Sequence, residues 1–404
     1  MPKINLHDEL SRALRYDERG EITEAVACLD GIVPFLPEDS AYQKFVGQLY
    51  QRLGEDEKSL TLIMAAVEQT PNDPDLHLCL GYHNIDNSLL EIAAENFNAA
   101  LRLDPSLKAA QLYLGRTQGF LGDLANAEKS LIKAVALDPD ELEPHIQLAH
   151  ILLRQNKFDQ ARQKFSQVNE MAPGNRMAEI GLKRVNALST SLVKTATNAQ
   201  ADPATVACVK QGTKYGPEYV NRLQSMVRRN SEIDLRFVCF TDDPSGFDDG
   251  IEVWPLPDED FQGWWNKISL FRDDLADIGE KFLYFDLDVV LTGNIDQMLR
   301  YDSDFAIMDN DYVPGFNTSV FILKTGSRPD VRANFSQAIA NEYDGDQDWV
   351  AVMAPDAELW PDMWCVPYRL RAAQKPPAIT KVVVFSGRPN PEDYPSDWIS
   401  ACWF

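Results

Sequence analysis

The chain has 404 residues, of which 45% are hydrophobic and 25% charged, so it is long enough for two or three domains with ordinary cores. The net charge is −24, divided as −9 over residues 1–188 and −15 over residues 189–404. Such an acidic surface repels nucleic acid and anionic lipid, which argues against both as general partners.

Neither a run of 18 apolar residues nor an apolar signal core at the start is present. We therefore expect a cytoplasmic protein with no integral membrane segment. Binding partners could hold the protein at the inner membrane. The six cysteines are scattered without a C-x-x-C pair, so we expect reduced thiols.

Residues 6–175 repeat with a period of 34 in five consecutive units. The eighth and twentieth positions are small, the twenty-fourth is bulky and apolar, and the thirty-second is proline. The units give in turn Ala13, Ala25, Leu29 and Pro37; Gly47, Ser59, Ile63 and Pro71; Gly81, Ala93, Phe97 and Pro105; Gly115, Ala127, Leu131 and Pro139; and Ala149, Ala161, Phe165 and Pro173. Small residues at a helix crossing and a proline that ends each unit are typical of a helix–turn–helix repeat.

This pattern resembles the tetratricopeptide repeat (TPR). One unit cannot bury its apolar face alone, so the resemblance implies a stacked α-solenoid over residues 1–188, closed by a capping helix at 176–188. We interpret its groove as a surface for a protein or peptide; a spacer or a homodimerisation element is the alternative.

Residues 189–203, rich in Ser, Thr, Ala and Asn, indicate a linker. From residue 204 strand-like and helix-like runs alternate, which predicts an α/β domain over 204–404. Strands are predicted at 204–210, 234–241, 251–254, 281–287, 304–308, 318–324 and 380–385. Helices are predicted at 217–229, 265–275, 328–342 and 347–353.

The first strand of this domain runs into a loop that carries Gln211 and Tyr215 before a helix opened by Pro217. Open α/β sheets bind nucleotides at the carboxyl end of such a strand. The loop has no Walker or Rossmann glycine fingerprint, which disfavours a P-loop enzyme or a dinucleotide dehydrogenase. A plain turn is the alternative.

Two segments place charge near the predicted strand at 281–287. The strand ends on Asp286 and Asp288, and two carboxylates at a strand end need a cation, most simply a hard divalent ion bound together with phosphate. Lys267 precedes it in a helix-like segment and either faces a diphosphate or is a solvated helix lysine.

Further polar residues follow. Asn317 stands at the mouth of a buried strand, and Asp346 and Gln347 open a helix. For Asp346 the alternative is a helix N-cap.

Taken in order, the segments 215–223, 264–267, 285–288, 316–317 and 345–348 resemble those of GT-A-fold nucleotide-sugar glycosyltransferases, in particular the family 8 type. The resemblance covers nearly all of 204–404 and implies a hexosyltransferase. It implies that Asp286 and Asp288 hold Mn²⁺ or Mg²⁺, which bridges the two phosphates of the donor. Acceptors consistent with it are a protein, a lipid-linked sugar or a glycan.

The resemblance also implies donor-binding roles. Residues near Val209, Gln211 and Tyr215 would hold the base and ribose, and Lys267 would lie near the phosphates or donor sugar. Asp286 would also face the ribose or sugar. The sugar hydroxyls would be bound by Asn317, Asp346 and Gln347.

One stretch departs from the family. Ser386 stands where relatives have a metal-binding histidine, and Asn390 stands roughly where they have a phosphate-binding lysine. Arg388 could restore the lost positive charge. The departure leaves open a non-catalytic TPR scaffold with a degenerate sugar-nucleotide domain.

A haloacid-dehalogenase-type phosphatase is a further alternative, with Asp286 as nucleophile and Asp288 as acid. It places the motif on the first strand of its domain, whereas two or more predicted strands precede Asp286.

Overall fold

The structure, a computed structural model, describes residues 5–190, 204–257, 261–385, 390–393 and 397–404. Two compact units divide the chain at Pro139 and Asp140. Most of the predicted linker at 189–203 lies outside the described residues. Across the described ranges, no helix is long and apolar enough to cross a membrane. All six cysteines are free thiols.

The unit Met1–Pro139 consists of helical hairpins, with a 3₁₀ turn at Val33–Phe35. Its helices are α1 (Leu6–Glu18), α2 (Ile22–Ile32), α3 (Ser40–Arg52), α4 (Asp56–Gln69), α5 (Pro74–Asp86), α6 (Leu90–Leu103), α7 (Lys108–Phe120) and α8 (Leu124–Leu137). Each predicted 34-residue unit is one antiparallel hairpin, so the prediction of a helical repeat is confirmed.

The period has a packing cause that the α5–α6 hairpin shows. A Cβ built on Gly81 would lie 2.3 Å from the ring of Phe97, sixteen residues later, and Phe97 is fully buried. The pairs Gly47 with Ile63 and Gly115 with Leu131 repeat this close approach. A small eighth residue therefore makes room for the bulky twenty-fourth.

We expect Gly81→Ala to destabilise the Met1–Pro139 unit by about 1–3 kcal/mol, because the buried Phe97 ring must move. The measurement is denaturant unfolding followed by far-UV circular dichroism. Gly31→Ala in α2 is the matched control, since its Cβ would meet nothing within 4 Å. Helix propensity predicts a gain of about 0.5–1 kcal/mol there. Equal stability of the two variants would refute the packing argument.

The unit Asp140–Phe404 begins with the fifth predicted hairpin, α9 (Leu142–Arg154) and α10 (Phe158–Met171), and the capping helix α11 (Arg176–Thr190). Its remaining helices are α12 (Pro217–Arg229), α13 (Asp296–Leu299), α14 (Pro329–Ala333), α15 (Gln337–Ala340), α16 (Asp346–Met353) and α17 (Asp397–Cys402). Gly263–Phe271, Ala276–Ile278 and Pro391–Asp393 are 3₁₀-helical, and Tyr368–Ala372 is a π-helix.

Two sheets complete this unit. Their strands are β1 (Ala204–Lys210), β2 (Leu235–Thr241), β3 (Glu252–Trp254), β4 (Lys281–Phe285), β5 (Val290–Leu291), β6 (Phe305–Asp309), β7 (Phe316–Lys324), β8 (Glu358–Leu359), β9 (Cys365–Pro367) and β10 (Val382–Val384). The large sheet has the order β3-β2-β1-β4-β7-β6-β8 and is parallel except for β7. The small sheet has the order β5-β10-β9, with β5 antiparallel to β10.

Each predicted element of this domain has a counterpart in the fold, but the bounds and some helix types differ. The strand predicted at 281–287 ends at Phe285, so Asp286 lies just beyond it. The helix predicted at 265–275 is a shorter 3₁₀-helix, and the one predicted at 328–342 is divided into α14 and α15. The sequence alone therefore predicts an α/β fold here, but not where each element ends or that β7 is antiparallel.

Apolar side chains cover both faces of the large sheet, and alternate residues of each strand point to opposite faces. On one face, α12 packs on residues such as Val206 and Phe285. On the other face, the 3₁₀-helix Gly263–Phe271, called the 3₁₀-helix from here on, and α16 pack on Ala207 and Tyr284. Ile180 of α11 joins this cluster. Together these layers fix the strand ends that carry the polar residues.

Candidate functional site

The candidate site lies where the strand order reverses. From β1 the chain continues outward to β2 and β3, and then adds β4 on the other side of β1. Ligands bind open α/β sheets in the crevice at the carboxyl ends of the strands that flank such a switch point. These ends are Lys210 and Phe285, and Asp286 and Asp288 follow directly.

A buried cation lies beside the carboxylates. Lys267, on the 3₁₀-helix, is 7% exposed, and its Nζ lies 3.1 Å from Oδ2 of Asp286 and 3.1 Å from Oδ2 of Asp346. It also donates to Oγ1 of Thr318 at 3.1 Å. Burial alone would lower the pKa of Lys267, but the two carboxylates outweigh burial and raise it above its usual value. The interpretation as a solvated lysine is therefore wrong.

Asp346 opens α16 with its carboxylate turned inward. The N-cap position belongs to Gly345, which makes no side-chain capping bond. Asp346 is 5% exposed, and its Oδ2 accepts the hydroxyl proton of Thr318 at 2.6 Å and pairs with Lys267. The N-cap interpretation is therefore wrong, and Asp346 is a partner of Lys267.

Asp286 is held through both oxygens and through its backbone. Its Oδ1 accepts from the hydroxyl of Tyr284 at 2.8 Å, and its Oδ2 accepts from Lys267. Its N–H donates to the carbonyl oxygen of Ser319 at 2.9 Å. These bonds fix the carboxylate at the end of β4.

Asp288 is held from the β1 side, where its Oδ2 accepts from the hydroxyl of Tyr215 at 2.7 Å. Burial, followed by the negative charge of Asp286, raises the pKa of Asp288 to about 6. The ring of Tyr215 packs against Tyr219 with 4.7 Å between centroids. The structure thus brings Tyr215, predicted at the first-strand loop, together with the carboxylate pair.

Asp286 and Asp288 offer carboxylate oxygens, which are the ligands that hard divalent cations prefer. Their two negative charges repel each other, and a cation between them would relieve that repulsion. Within the described ranges, no three His, Cys, Asp or Glu side chains cluster as a metal site. An ion held by Asp286 and Asp288 would therefore need further ligands such as phosphate oxygens and water. Ser386 and Arg388 lie outside the described residues. Asn390 donates its backbone N–H to Asp393 at 2.8 Å.

The side chain of Gln211 joins the first-strand loop to the 3₁₀-helix. Its Nε2 donates to the carbonyl oxygen of Phe261 at 2.8 Å. Its Oε1 accepts from the N–H of Gly263 at 2.8 Å and from Nδ2 of Asn266 at 2.6 Å. In this arrangement Gln211 positions the helix that carries Lys267.

Among the described residues, the side chains of three further predicted site residues make no hydrogen bond to Lys267 or to its partners Asp286, Asp346 and Thr318. Val209 is half-buried in β1 beside Phe240 of β2. Asn317 of β7 accepts from the N–H of Ser319 at 2.9 Å through its own Oδ1. Gln347 is half-buried in the first turn of α16.

Sequence reasoning missed three contributors, Thr318, Tyr284 and Asn266. Tyr284 could have been found, because it precedes Asp286 by two residues and therefore lies on the same face of the strand. Asn266 is adjacent to Lys267 in the chain. Thr318 gave no signal, since its role depends on the pairing of β7 with β4.

Comparisons with known proteins bear on the helical repeats. A family model for the tetratricopeptide repeat matches residues 121–180, a segment that includes α9 and α10. A comparison with curated proteins finds no match.

Among solved structures, PilF of Pseudomonas aeruginosa is similar at 16% identity over 46% of this chain and 84% of its own, with a TM-score of 0.40. A thermophilic TPR protein of Thermus thermophilus is 20% identical over 45% of this chain and 98% of its own, with a TM-score of 0.37. YrrB, described as a TPR protein with an unusual peptide-binding site, is 15% identical over 42% and 88%, with a TM-score of 0.36.

The helical hairpins and the family match together establish that the chain contains tetratricopeptide repeats. Stacked repeats of this kind present extended surfaces to protein or peptide partners. The same chain carries a mixed-sheet α/β domain in its C-terminal half.

Proposed function

We propose that the α/β domain is a metal-dependent nucleotide-sugar glycosyltransferase that transfers a hexose from a nucleoside diphosphate. The repeats recruit or position a protein partner or the acceptor, which is a protein, a lipid-linked sugar or a glycan. The proposal is supported chiefly by one observation: Lys267 pairs Asp286, at the end of β4, with Asp346, at the start of α16. Both carboxylates thereby lie at the switch point of an open sheet.

In this proposal Asp286 and Asp288 would hold Mn²⁺ or Mg²⁺, which would supply positive charge for the nucleoside diphosphate leaving group. The chain carries a charge of −24, so a diphosphate needs such a local positive charge. Tyr215 orients Asp288, and Lys267 holds Asp286 in place.

The assignment gives Lys267 a different task from the one the family resemblance implies. Its ammonium is engaged by two carboxylates and a threonine, so it serves the site by fixing Asp286 and Asp346. Asp346 is then the acidic group we assign to the hydroxyls of the donor sugar, together with Gln347 and Asn317.

Isothermal titration of the full chain with UDP-, GDP- and dTDP-sugars, with and without Mn²⁺, tests the proposal. We expect one nucleotide class to bind, at least about tenfold more weakly when the metal is chelated or in Asp288→Asn. The matched control is Asp330→Asn, an exposed acid in α14 that should bind as the wild type does. Donor hydrolysis or transfer in the same samples measures turnover.

The other outcomes each select a different conclusion. Absence of measurable binding for every donor would exclude the transferase. Binding without turnover would support a non-catalytic TPR scaffold that senses sugar nucleotides. Rapid hydrolysis of an aryl phosphate, lost in Asp286→Asn, would instead support a phosphatase.

A further inference from the structure

Helix α11, the predicted cap of the repeats, belongs to the same compact unit as the large sheet. Its residue Ile180 is fully buried in the apolar cluster that also contains Trp349 of α16. Met177 packs against the same cluster. The helix therefore contacts the layer that carries Asp346.

Arg176, the first residue of α11, binds the turn that leads into α16. Its Nη1 lies 3.3 Å from Oδ2 of Asp344 and 3.6 Å from Oδ2 of Asp348. Its Nη2 donates to the carbonyl oxygen of Glu342. Its guanidinium lies 4.7 Å from the centroid of the Tyr343 ring. One side chain thus holds the residues on both sides of Asp346.

The charges explain why this contact matters. Asp344, Asp346 and Asp348 place three carboxylates within five residues, and like charges so close repel one another. Arg176 compensates the outer two, while Lys267 compensates the central one. Without Arg176 the two outer carboxylates lose their counter-charge and Lys267 alone opposes their repulsion of Asp346. Asp348 contributes most of that repulsion, because the side chain of Asp344 is 97% exposed and its charge is screened by solvent.

A second arginine of α11 holds the β6–β7 loop in the same way. Arg184 is 2% exposed, and its Nη1 donates to the carbonyl oxygen of Gly315 at 2.9 Å. Its guanidinium lies 4.4 Å from the centroid of the Phe316 ring. That loop leads directly into β7 and Thr318, the third partner of Lys267.

We propose that α11 is part of the transfer site and that Arg176 is a positioning residue for Asp346. The inference rests on the proposed function for its catalytic consequence, but the positioning itself does not depend on activity. It makes the end of the repeats a structural component of the site, beyond any role in recruiting partners.

Arg176 is about one-third exposed at its side chain, so Arg176→Ala should fold. The control is Lys183→Ala, an exposed cation on the same helix. Hydrogen exchange of the full chain is expected to be about tenfold faster at the amides of α16 in Arg176→Ala and unchanged in Lys183→Ala. Arg176→Lys should recover part of the protection, because it keeps the positive charge but lacks the guanidinium fork with which Arg176 also reaches the carbonyl oxygen of Glu342.

Turnover of the donor is the second measurement. We expect kcat to fall about tenfold in Arg176→Ala while KM for the donor changes less than about twofold, since a misplaced Asp346 affects orientation more than binding. Exchange and kcat equal to the Lys183→Ala control would overturn the inference. Faster exchange with unchanged kcat would reduce Arg176 to a purely structural role and overturn it too. If the wild type shows no turnover, the proposed function fails and the catalytic part of the inference fails with it; exchange then tests only whether Arg176 holds α16 in place.

Discussion

Replacing Lys267 by methionine is expected to destabilise the Asp140–Phe404 unit by about 3–5 kcal/mol, because it leaves two carboxylates without their shared cation. Asp286 and Asp346 each lie 3.1 Å from Nζ, and Lys267 is 7% exposed. Methionine keeps most of the volume of the side chain, so the loss should reflect charge more than packing.

The eight tryptophans of the chain all lie between residues 254 and 403, so their fluorescence reports the unfolding of this unit alone. Denaturant titration should show a lower midpoint for Lys267→Met. Lys375→Met, which removes an exposed lysine of the same unit, should stay within about 0.5 kcal/mol of the wild type. In the double variant Lys267→Met/Asp346→Asn, part of the stability should return, because one orphaned charge is gone. A single variant as stable as the control would contradict the network.

The repeats were predictable because their cause is local and periodic. Gly81 and Phe97 belong to one 34-residue unit, and the same pair of sizes recurs in neighbouring units at a fixed spacing. The long strands of the large sheet were predictable for a similar reason, since apolar runs such as β1 can be recognised as buried strands from their own residues. By contrast, β5, β8 and β9 have two or three residues each and exist only because distant strands pair with them.

The site shows the same division between local and distant causes. Asp286 and Asp288 stand out in the sequence because carboxylates interrupt an apolar run. The partners of Lys267 do not, because Thr318 follows it by 51 residues and is brought to it by the pairing of β7 with β4. The role of Arg176 was hidden further, since the sequence assigns it to the repeats and the structure groups it with the sheet.

A half-buried carboxylate, Asp309 at the end of β6, predicts how stability depends on pH. It faces Arg184 of α11 at 3.6 Å and Arg154 of α9 at 3.9 Å, with Asp311 nearby. Burial raises its pKa, and although the two arginines lower it, the pKa remains about 6. The neighbouring His150 has its pKa lowered well below the usual value, by burial first and then by the same arginines.

The sign follows from linkage. Because the pKa of Asp309 is higher in the folded protein than its unfolded value of about 4, the unfolded chain releases this proton first as pH rises. The contribution of Asp309 to stability is therefore fully present below pH 4 and is lost between about pH 4 and 6.

Asp309→Asn removes this dependence, so the stability of the variant relative to the wild type should improve by about 2 kcal/mol between pH 4 and 7. This value is slightly smaller than the full pKa difference would give, because the side chain is 23% exposed and solvent screens its charge. A constant offset from the uncompensated Arg184 does not change the slope. Denaturant titrations followed by tryptophan fluorescence at several pH values, in buffer with chelator, measure the difference in free energy of unfolding between variant and wild type. The stability of Asp288→Asn relative to the wild type should also improve as pH rises, because the pKa of Asp288 is also raised to about 6. If the Asp309→Asn difference falls with pH instead, the arginines outweigh burial, and Asp309 is held as a stabilising ion pair.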